Sequence, residues 1–197
     1  TSHLPLPNSA YPSKLEEEQP IKIELQFEKG ELVSLNGNSS NSIKLIQELQ
    51  KIAKKYAIGR DIHVGDTIIG IKGRIGFEAA APLILIKAHH LLEKHTLSKW
   101  QQYQKEQLAN FYGMQLHEGQ YLDPAMRDIE AFMESSQTRV TGTVFVKLWP
   151  YRFELLGINS PFDLMKVDFG SYGEMNKSWT ADEAVSYTHL RAHETFA

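Results

Sequence analysis

A chain of 197 residues with a formal charge of −3, a pI near 6.2 and 42% hydrophobic residues suits one domain with appendages and has enough apolar content for a core. That charge creates no field to gather nucleic acid or an anionic membrane surface, and the longest apolar run, residues 79–88, is interrupted by Pro82 and Lys87, well short of the roughly 20 residues that span a bilayer. The lack of cysteine excludes disulfides, thiolate metal sites and a cysteine nucleophile, and the cytoplasm is the expected location.

The first twenty residues, TSHLPLPNSAYPSKLEEEQP, start at Thr1 without a basic-then-apolar leader. Their spaced prolines and acidic triplet predict an extended linker that runs over a surface. Alternation then sets in: IKIELQF, a turn at residues 28–30 and ELVSLNG read as a β-hairpin. Ser42 opens a helix to Tyr56 with Ile43, Ile46, Leu49, Ile52 and Ala53 as its expected buried stripe. The polar patch NGNSSNS between them reads as a surface turn.

Residues 58–78, IGRDIHVGDTIIGIKGRIGFE, hold glycines at 65, 70, 73 and 76 beside Lys72 and Arg74. Glycines let backbone amides approach a ligand where a Cβ would block it, and the two cations bring positive charge to the same place. A small anionic ligand is the natural guest. Two short strands, 61–64 and 67–72, are expected around Gly65 and Asp66, and Arg60 with Asp61 could form a local ion pair.

Residues 78–95 and 98–116 read as helices, the second capped by Ser98, and as a possible antiparallel pair. Asp123 and Pro124 open a further helix to about Ser135. Residues 139–148 and 151–158 alternate as a second hairpin joined through Trp149 and Pro150. The order ββα, ββ, ααα, ββ predicts an α+β domain, a mostly antiparallel sheet with a block of packed helices, and not a doubly wound nucleotide fold.

IGRDIHVGDTIIGIKGRIGFEAAAP, together with LLEKHTLSKWQQYQKEQLANFYGMQLHEGQYLDP, VTGTVFVKL, SPFDLM and SYGEMN, resembles the C-terminal synthetase domain of the argininosuccinate synthase family from about Pro5 to Ala184. The resemblance implies a ligase that joins citrulline to aspartate, with ATP converted to AMP and pyrophosphate. Citrulline's ureido oxygen is adenylated and the aspartate amine then displaces AMP, so catalysis is positioning and charge stabilisation without a protein nucleophile or a set of metal ligands. ATP and its Mg2+ belong in this family to an N-terminal domain with an SGGLDTS-type pyrophosphate loop, which this sequence lacks. The resemblance therefore implies a C-terminal fragment, inactive alone: a linker at 1–20, a synthetase and oligomerisation domain at 21–184, and homotetramers when full length. Residues 185–197, VSYTHLRAHETFA, depart from the family and read as a non-native tail, with His189 and His193 left out of any role.

Within the resemblance, Lys72, Arg74 and Glu78 match charged positions and are expected to line the substrate cleft. A glutamate and a tyrosine that contact citrulline in the family align with Gly65 and Phe77 here. Losing the carboxylate that pairs with the substrate ammonium is costly, about 3–5 kcal/mol for a buried charge left alone. Two readings stand: rearranged neighbours still hold citrulline itself, or the substrate is an N-acylated, neutral citrulline with Gly65 giving room for the acyl group and Phe77 apolar contact.

The rival readings are weaker. His89, His90, His95 and His117 lack metal-ligand spacing, so no metal is assigned. GIKG at 70–73 is a short match to the backbone-clamping loop of KH domains, against which the acidic balance and flanking helices argue. Trp100, Tyr103, Phe111, Tyr112, Phe132 and Met133 favour subunit contacts, hence the alternative of a non-catalytic oligomerisation or small-ligand-binding module.

Overall fold

Alternation places Ile23, Leu25 and Phe27 on the buried side of strand β1 (Ile21–Glu28) and lysine and glutamates on the other. In the computed structural model, which describes residues 2–166 and 179–194, β1 turns through Lys29 and Gly30, both at positive φ, into β2 (Glu31–Leu35). This is the two-residue turn whose twist matches a hairpin. A second such turn, Asn36 and Gly37, adds the two-residue strand β3 (Asn38–Ser39) from the patch expected to be only a turn. A separate antiparallel pair consists of β4 (Arg60–Asp66) and β5 (Lys72–Glu78), while β6 (Gly142–Trp149) and β7 (Arg152–Asn159) complete a five-stranded sheet of order β3-β2-β1-β6-β7. Among the described residues every strand pairing is antiparallel, and with the helices below the chain is α+β, as its element order predicted.

Helix α1 (Ser42–Ala53) is capped by the Asn41 side chain, which accepts from the Lys44 amide at 2.9 Å, and a 3-10 turn, Lys54–Tyr56, extends it. Its buried stripe is Leu45, Leu49 and Ala53, with Ile52 at the margin. The expected Ile43 is 70% exposed and Ile46 faces a shallow cleft beside Leu85 and Ile86. The stripe is thus rotated from the expected one, because Leu45, Leu49 and Ala53 at i, i+4 and i+8 follow the helix period more closely than the isoleucines do. Helix α2 (Ala80–Thr96) packs against α1, β6 and β7 and buries Ala80, Ala81, Ile84, Ala88 and Leu92.

Helix α3 (Lys99–His117) opens with a reciprocal capping box between Ser98 and Gln101 and buries none of its residues fully. It runs against α4 (Pro124–Gln137), where the Tyr112 hydroxyl donates to Glu130 at 2.8 Å, and not against α2 as an antiparallel pair. The reason lies in its composition: a helix with apolar residues scattered around its circumference offers α2 no continuous stripe. Asp123 caps α4 by accepting from the Ala125 amide.

What joins this helical block to the sheet layer is Glu93 of α2, a carboxylate with 2% side-chain exposure. Lys105 of α3 pairs with it, Gln137 of α4 donates to it at 2.9 Å, and His89 and His90 lie within 3.6 and 3.8 Å. His89 also meets the Phe27 ring edge-on at 5.5 Å. Residues 1–163 form one compact unit and 164–197 another; the second contains the 3-10 turn Leu164–Lys166 and helix α5 (Ala181–Glu194), started by a box between Thr180 and Glu183. Hydrogen bonds from Thr180 hold the Glu183 carboxyl below its usual range. The motif SYGEMN lies outside the described residues.

Burial holds the His89 imidazole below its ordinary pKa, with Glu93 opposing and Lys105 reinforcing the shift. The unfolded chain therefore binds more protons near that range, so the His89 contribution is complete above about pH 6.5 and declines as pH falls through it. Urea midpoints measured between pH 7.5 and 5 are expected to drop more steeply for the natural chain than for His89→Gln.

Candidate functional site

The glycine-rich segment folds as a hairpin rather than an open loop. Its register runs from Arg60↔Glu78 at the base to Asp66↔Lys72 at the top, with residues 67–71 as the turn. The second strand expected at 67–72 begins only at Lys72, because Thr67 organises the turn: its amide donates to the Ile71 carbonyl and its hydroxyl accepts from the Ile71 amide. Gly70 sits at φ +79°, which ends the extended run. Ile68, Ile69 and Ile71, which read as strand by composition, are exposed at the tip.

Pairing across an antiparallel ladder puts opposed residues on one face, and the period of two then sorts the whole hairpin. One face carries Asp61, His63, Gly65, Gly73, Ile75 and Phe77; the other carries Arg60, Ile62, Val64, Asp66, Lys72, Arg74, Gly76 and Glu78. The nominated site residues are divided by this geometry. Gly65 and Phe77 share the first face, whereas Lys72, Arg74 and Glu78 stand on the second.

On the first face, Gly65 lies directly opposite Gly73, so two neighbouring positions lack side chains and leave bare backbone. A Cβ on Gly73 would meet nothing within 4 Å, and one on Gly65 would meet only the His63 ring, its Nε2 at 3.2 Å. Ile75 and Phe77 supply apolar surface below this gap. His63, which the sequence reading passed over, is therefore the polar group nearest Gly65. Its signal was the two-residue spacing, which puts residues 63 and 65 on one side of a strand.

On the second face the charges are already engaged. Lys72 pairs with Asp66 across the ladder, both well exposed, a contact of the kind worth about 0–1 kcal/mol. Glu78 is only 1% exposed and its carboxylate accepts from Arg60 Nε at 3.3 Å. The ion pair considered between Arg60 and Asp61 is thus Arg60 with Glu78, since neighbours in a strand point to opposite faces, and Asp61 instead accepts from the Ile62 amide. Arg74 donates to the carbonyls of Ser2 at 3.2 Å and Leu4 at 2.9 Å.

The N-terminal segment therefore lies along this second face. A Cβ on Gly76 would fall 2.8 Å from Leu6 Cδ1 and 3.4 Å from the Tyr11 ring, and Arg60 also donates to the Ser13 carbonyl. The Arg60 guanidinium is 5.0 Å from the Tyr11 ring centre and 5.5 Å from that of Tyr151. Tyr151 takes φ +66° in the β6–β7 turn, a strained conformation for a residue with a Cβ, and its amide donates to the Tyr56 carbonyl at 2.7 Å. The Tyr56 hydroxyl donates in turn to Gln19, and burial, followed by the charge of Glu17, raises its pKa.

Among the described residues there is no group of three histidine or acidic side chains placed to hold a metal ion. His95 binds Asp163 at 3.0 Å, and His117 ends α3. GIKG occupies the turn and first residues of β5, between strands and not between helices. No helix among the described residues is long and apolar enough to cross a membrane.

The family model of the arginosuccinate synthase C-terminal domain matches residues 8–194, thereby reaching beyond Ala184 into α5. Argininosuccinate synthase of Dictyoglomus turgidum is 38% identical over 178 residues, 90% of this chain and 45% of that protein. The enzyme of that name from Xanthomonas axonopodis pv. citri is 35% identical over 184 residues, 93% of this chain and 43% of its own. That of Methanocaldococcus jannaschii is 33% identical over 160 residues, 81% of this chain and 40% of its own. The chain spans less than half the length of these curated relatives.

Replacing Arg60 by leucine would leave the Glu78 carboxylate buried without its partner. The expected cost is about 3–5 kcal/mol, read as a lower urea midpoint, and Arg60→Lys is expected to recover only part of it because one ammonium cannot serve both Glu78 and Ser13 with a planar fork.

Proposed function

Since the chain belongs to the argininosuccinate synthase family through its C-terminal domain, we propose that it supplies part of the citrulline site of an ATP-dependent ligase that condenses citrulline with aspartate into argininosuccinate, AMP and pyrophosphate. The observation that carries this reading beyond family membership is the free hairpin face with Gly65 and Phe77 on one side of the ladder. An extended amino acid can lie along that face: the bare Gly65/Gly73 crossing admits its backbone-sized end, and Phe77 and Ile75 contact its methylenes. Lys72, Arg74 and Glu78 contribute to this site by shaping the hairpin, and Lys72 can exchange its exposed partner Asp66 for a substrate carboxylate.

ATP and Mg2+ are assigned to the part of the relatives that this chain does not span. The residues present do not fit them: the described acidic groups form no metal cluster, and the glycine-rich segment spends its amides on a β-ladder and turn rather than on a phosphate cradle. The chain by itself is accordingly inactive in this proposal. It acts in the cytoplasm, in a homotetramer to which the exposed Trp100, Tyr103 and Phe111 of α3 contribute apolar contacts. Residues 21–184 are the synthetase and oligomerisation domain, 1–20 the connection to the nucleotide-binding half, and 185–197 receive no role.

A second reading concerns the substrate's amine. No carboxylate projects from position 65, and Gly73 opposite leaves room for an acyl group there. The site then prefers a citrulline whose α-amine is acylated and neutral. In the full-length enzyme, turnover of N-acetylcitrulline is expected to exceed that of citrulline, and Gly65→Glu with Phe77→Tyr is expected to move the preference toward citrulline by about a hundredfold, the ratio equivalent to about 3 kcal/mol for a restored buried pair. Equal rates for the two substrates, or faster turnover of free citrulline, would reject the acyl preference. If calorimetry detects binding of neither citrulline nor N-acetylcitrulline by the full-length enzyme, the site reading itself fails.

A further inference from the structure

The two faces of the β4–β5 hairpin differ in one respect that neither charge nor composition reveals: one is covered by the chain's own N-terminal segment. We infer that residues 2–13 act as a strap that fixes the hairpin from behind, and that Arg74 and Arg60 are positioning residues which anchor the strap instead of touching substrate. The substrate half of this inference rests on the function proposed above; the strap itself does not.

Three contacts define the strap, from Arg74 down to the base of the hairpin, and a fourth follows it. Near the top, Arg74 donates to the Ser2 and Leu4 carbonyls. In the middle, Gly76 leaves the space into which Leu6 and the Tyr11 ring settle, with a notional Cβ only 2.8 Å from Leu6 Cδ1. At the base, Arg60 donates to the Ser13 carbonyl while Tyr11 stacks on its guanidinium. Past the base, the amides of Glu16 and Glu17 donate to the Lys55 carbonyl, which carries the segment onto the end of the 3-10 turn after α1.

A two-stranded ribbon with no third strand is marginal in water. The strap backs this face along Arg74, Gly76 and Arg60, while Ile62 and Val64 of β4 stay exposed. Both arginines act on backbone carbonyls, so the strap's hold depends little on its side chains other than Leu6 and Tyr11. The consequence for the opposite face is geometric: with the ribbon held from behind, its glycine crossing keeps a fixed shape toward a ligand. Because the strap is also the stretch leading away from residue 21 toward the chain start, any pull on it is felt first at Arg74 and Gly76.

Gly76 and Gly73 offer matched tests, since both lie in β5 and point to opposite faces. Valine is well accommodated in a strand, so neither change should unfold the ribbon. In Gly76→Val the side chain meets Leu6 and Tyr11. Trypsin cleavage after Lys14 is expected to quicken at least about tenfold, and the nuclear Overhauser contact from the Leu6 methyls to residue 76 to vanish. Arg74→Gln should quicken cleavage by about tenfold, the scale of one charge-assisted hydrogen bond, with partial rescue by Arg74→Lys. Gly73→Val should leave both signals as in the natural chain. Unchanged cleavage and an intact Leu6 contact in Gly76→Val would overturn the strap.

The role of Arg74 is read from citrulline KM and kcat in the full-length enzyme. Gly76→Val and Arg74→Gln are each expected to raise KM more than they lower kcat, and the double variant is expected to be no worse than the poorer single one, because both remove the same contact. A further tenfold rise in KM in the double variant would show Arg74 on the substrate and overturn its positioning role. If wild-type enzyme saturates with neither citrulline nor N-acetylcitrulline, the function proposed above fails while the cleavage result on the strap still stands.

Discussion

The pairing of Arg60 with Glu78 fastens the first residue of one strand to the last residue of its partner, and the candidate site depends on that closure. Glu78 is too deeply placed to be hydrated, and a buried carboxylate is tolerated only with a partner that returns what water would have given it. Arg60 can do so while its remaining donors reach Ser13 and its planar face lies between Tyr11 and Tyr151. One guanidinium thus joins the hairpin, the N-terminal segment and the β6–β7 turn, each remote from the others in sequence. The strained φ of Tyr151 belongs to the same arrangement, for it turns that ring toward Arg60 while its amide is satisfied by Tyr56.

A hairpin fixed in this way has a back and a front. Positive charge in the glycine-rich segment first suggests a pocket for an anion, yet Arg74 is committed to backbone carbonyls and Lys72 to Asp66. What the front offers is shape: two opposed glycines, His63 beside them, and Ile75 and Phe77 below. The amino acid proposed to lie there would meet this chain chiefly by contact along its length.

The helical block rests on a different device. Helix α3 contributes no fully buried residue, so its attachment relies on Lys105 reaching Glu93 and on Tyr112 meeting Glu130 of α4. Such an attachment leaves Trp100, Tyr103, Phe111 and Met114 exposed along the helix. Isolated exposed apolar residues are ordinary, and these are the residues that the proposed homotetramer would use. The buried Glu93, with two histidines, a lysine and a glutamine around it, makes that attachment sensitive to pH through His89.

By itself the sequence determined the order of strands and helices, the α+β class, the Ser98 and Asp123 caps and the family, because these follow from local periodicity, capping chemistry and motif content. It singled out the glycine-rich segment without showing its two sides. The expected second strand at 67–72 was displaced because the IIGI run has strand composition, while Thr67 and Gly70 hold it in a turn that only hydrogen bonds reveal. The α1 stripe was misplaced because several isoleucines lie near the helix period, and the sheet decides which of them face inward. Arg60 with Glu78, symmetric about the hairpin's midpoint, was readable once the register was known. The covering of Arg74 and Gly76 by residues 2–13 was not, since contacts across some seventy positions leave no periodic trace in a single chain, and only the folded backbone brings Ser2 and Leu4 to Arg74.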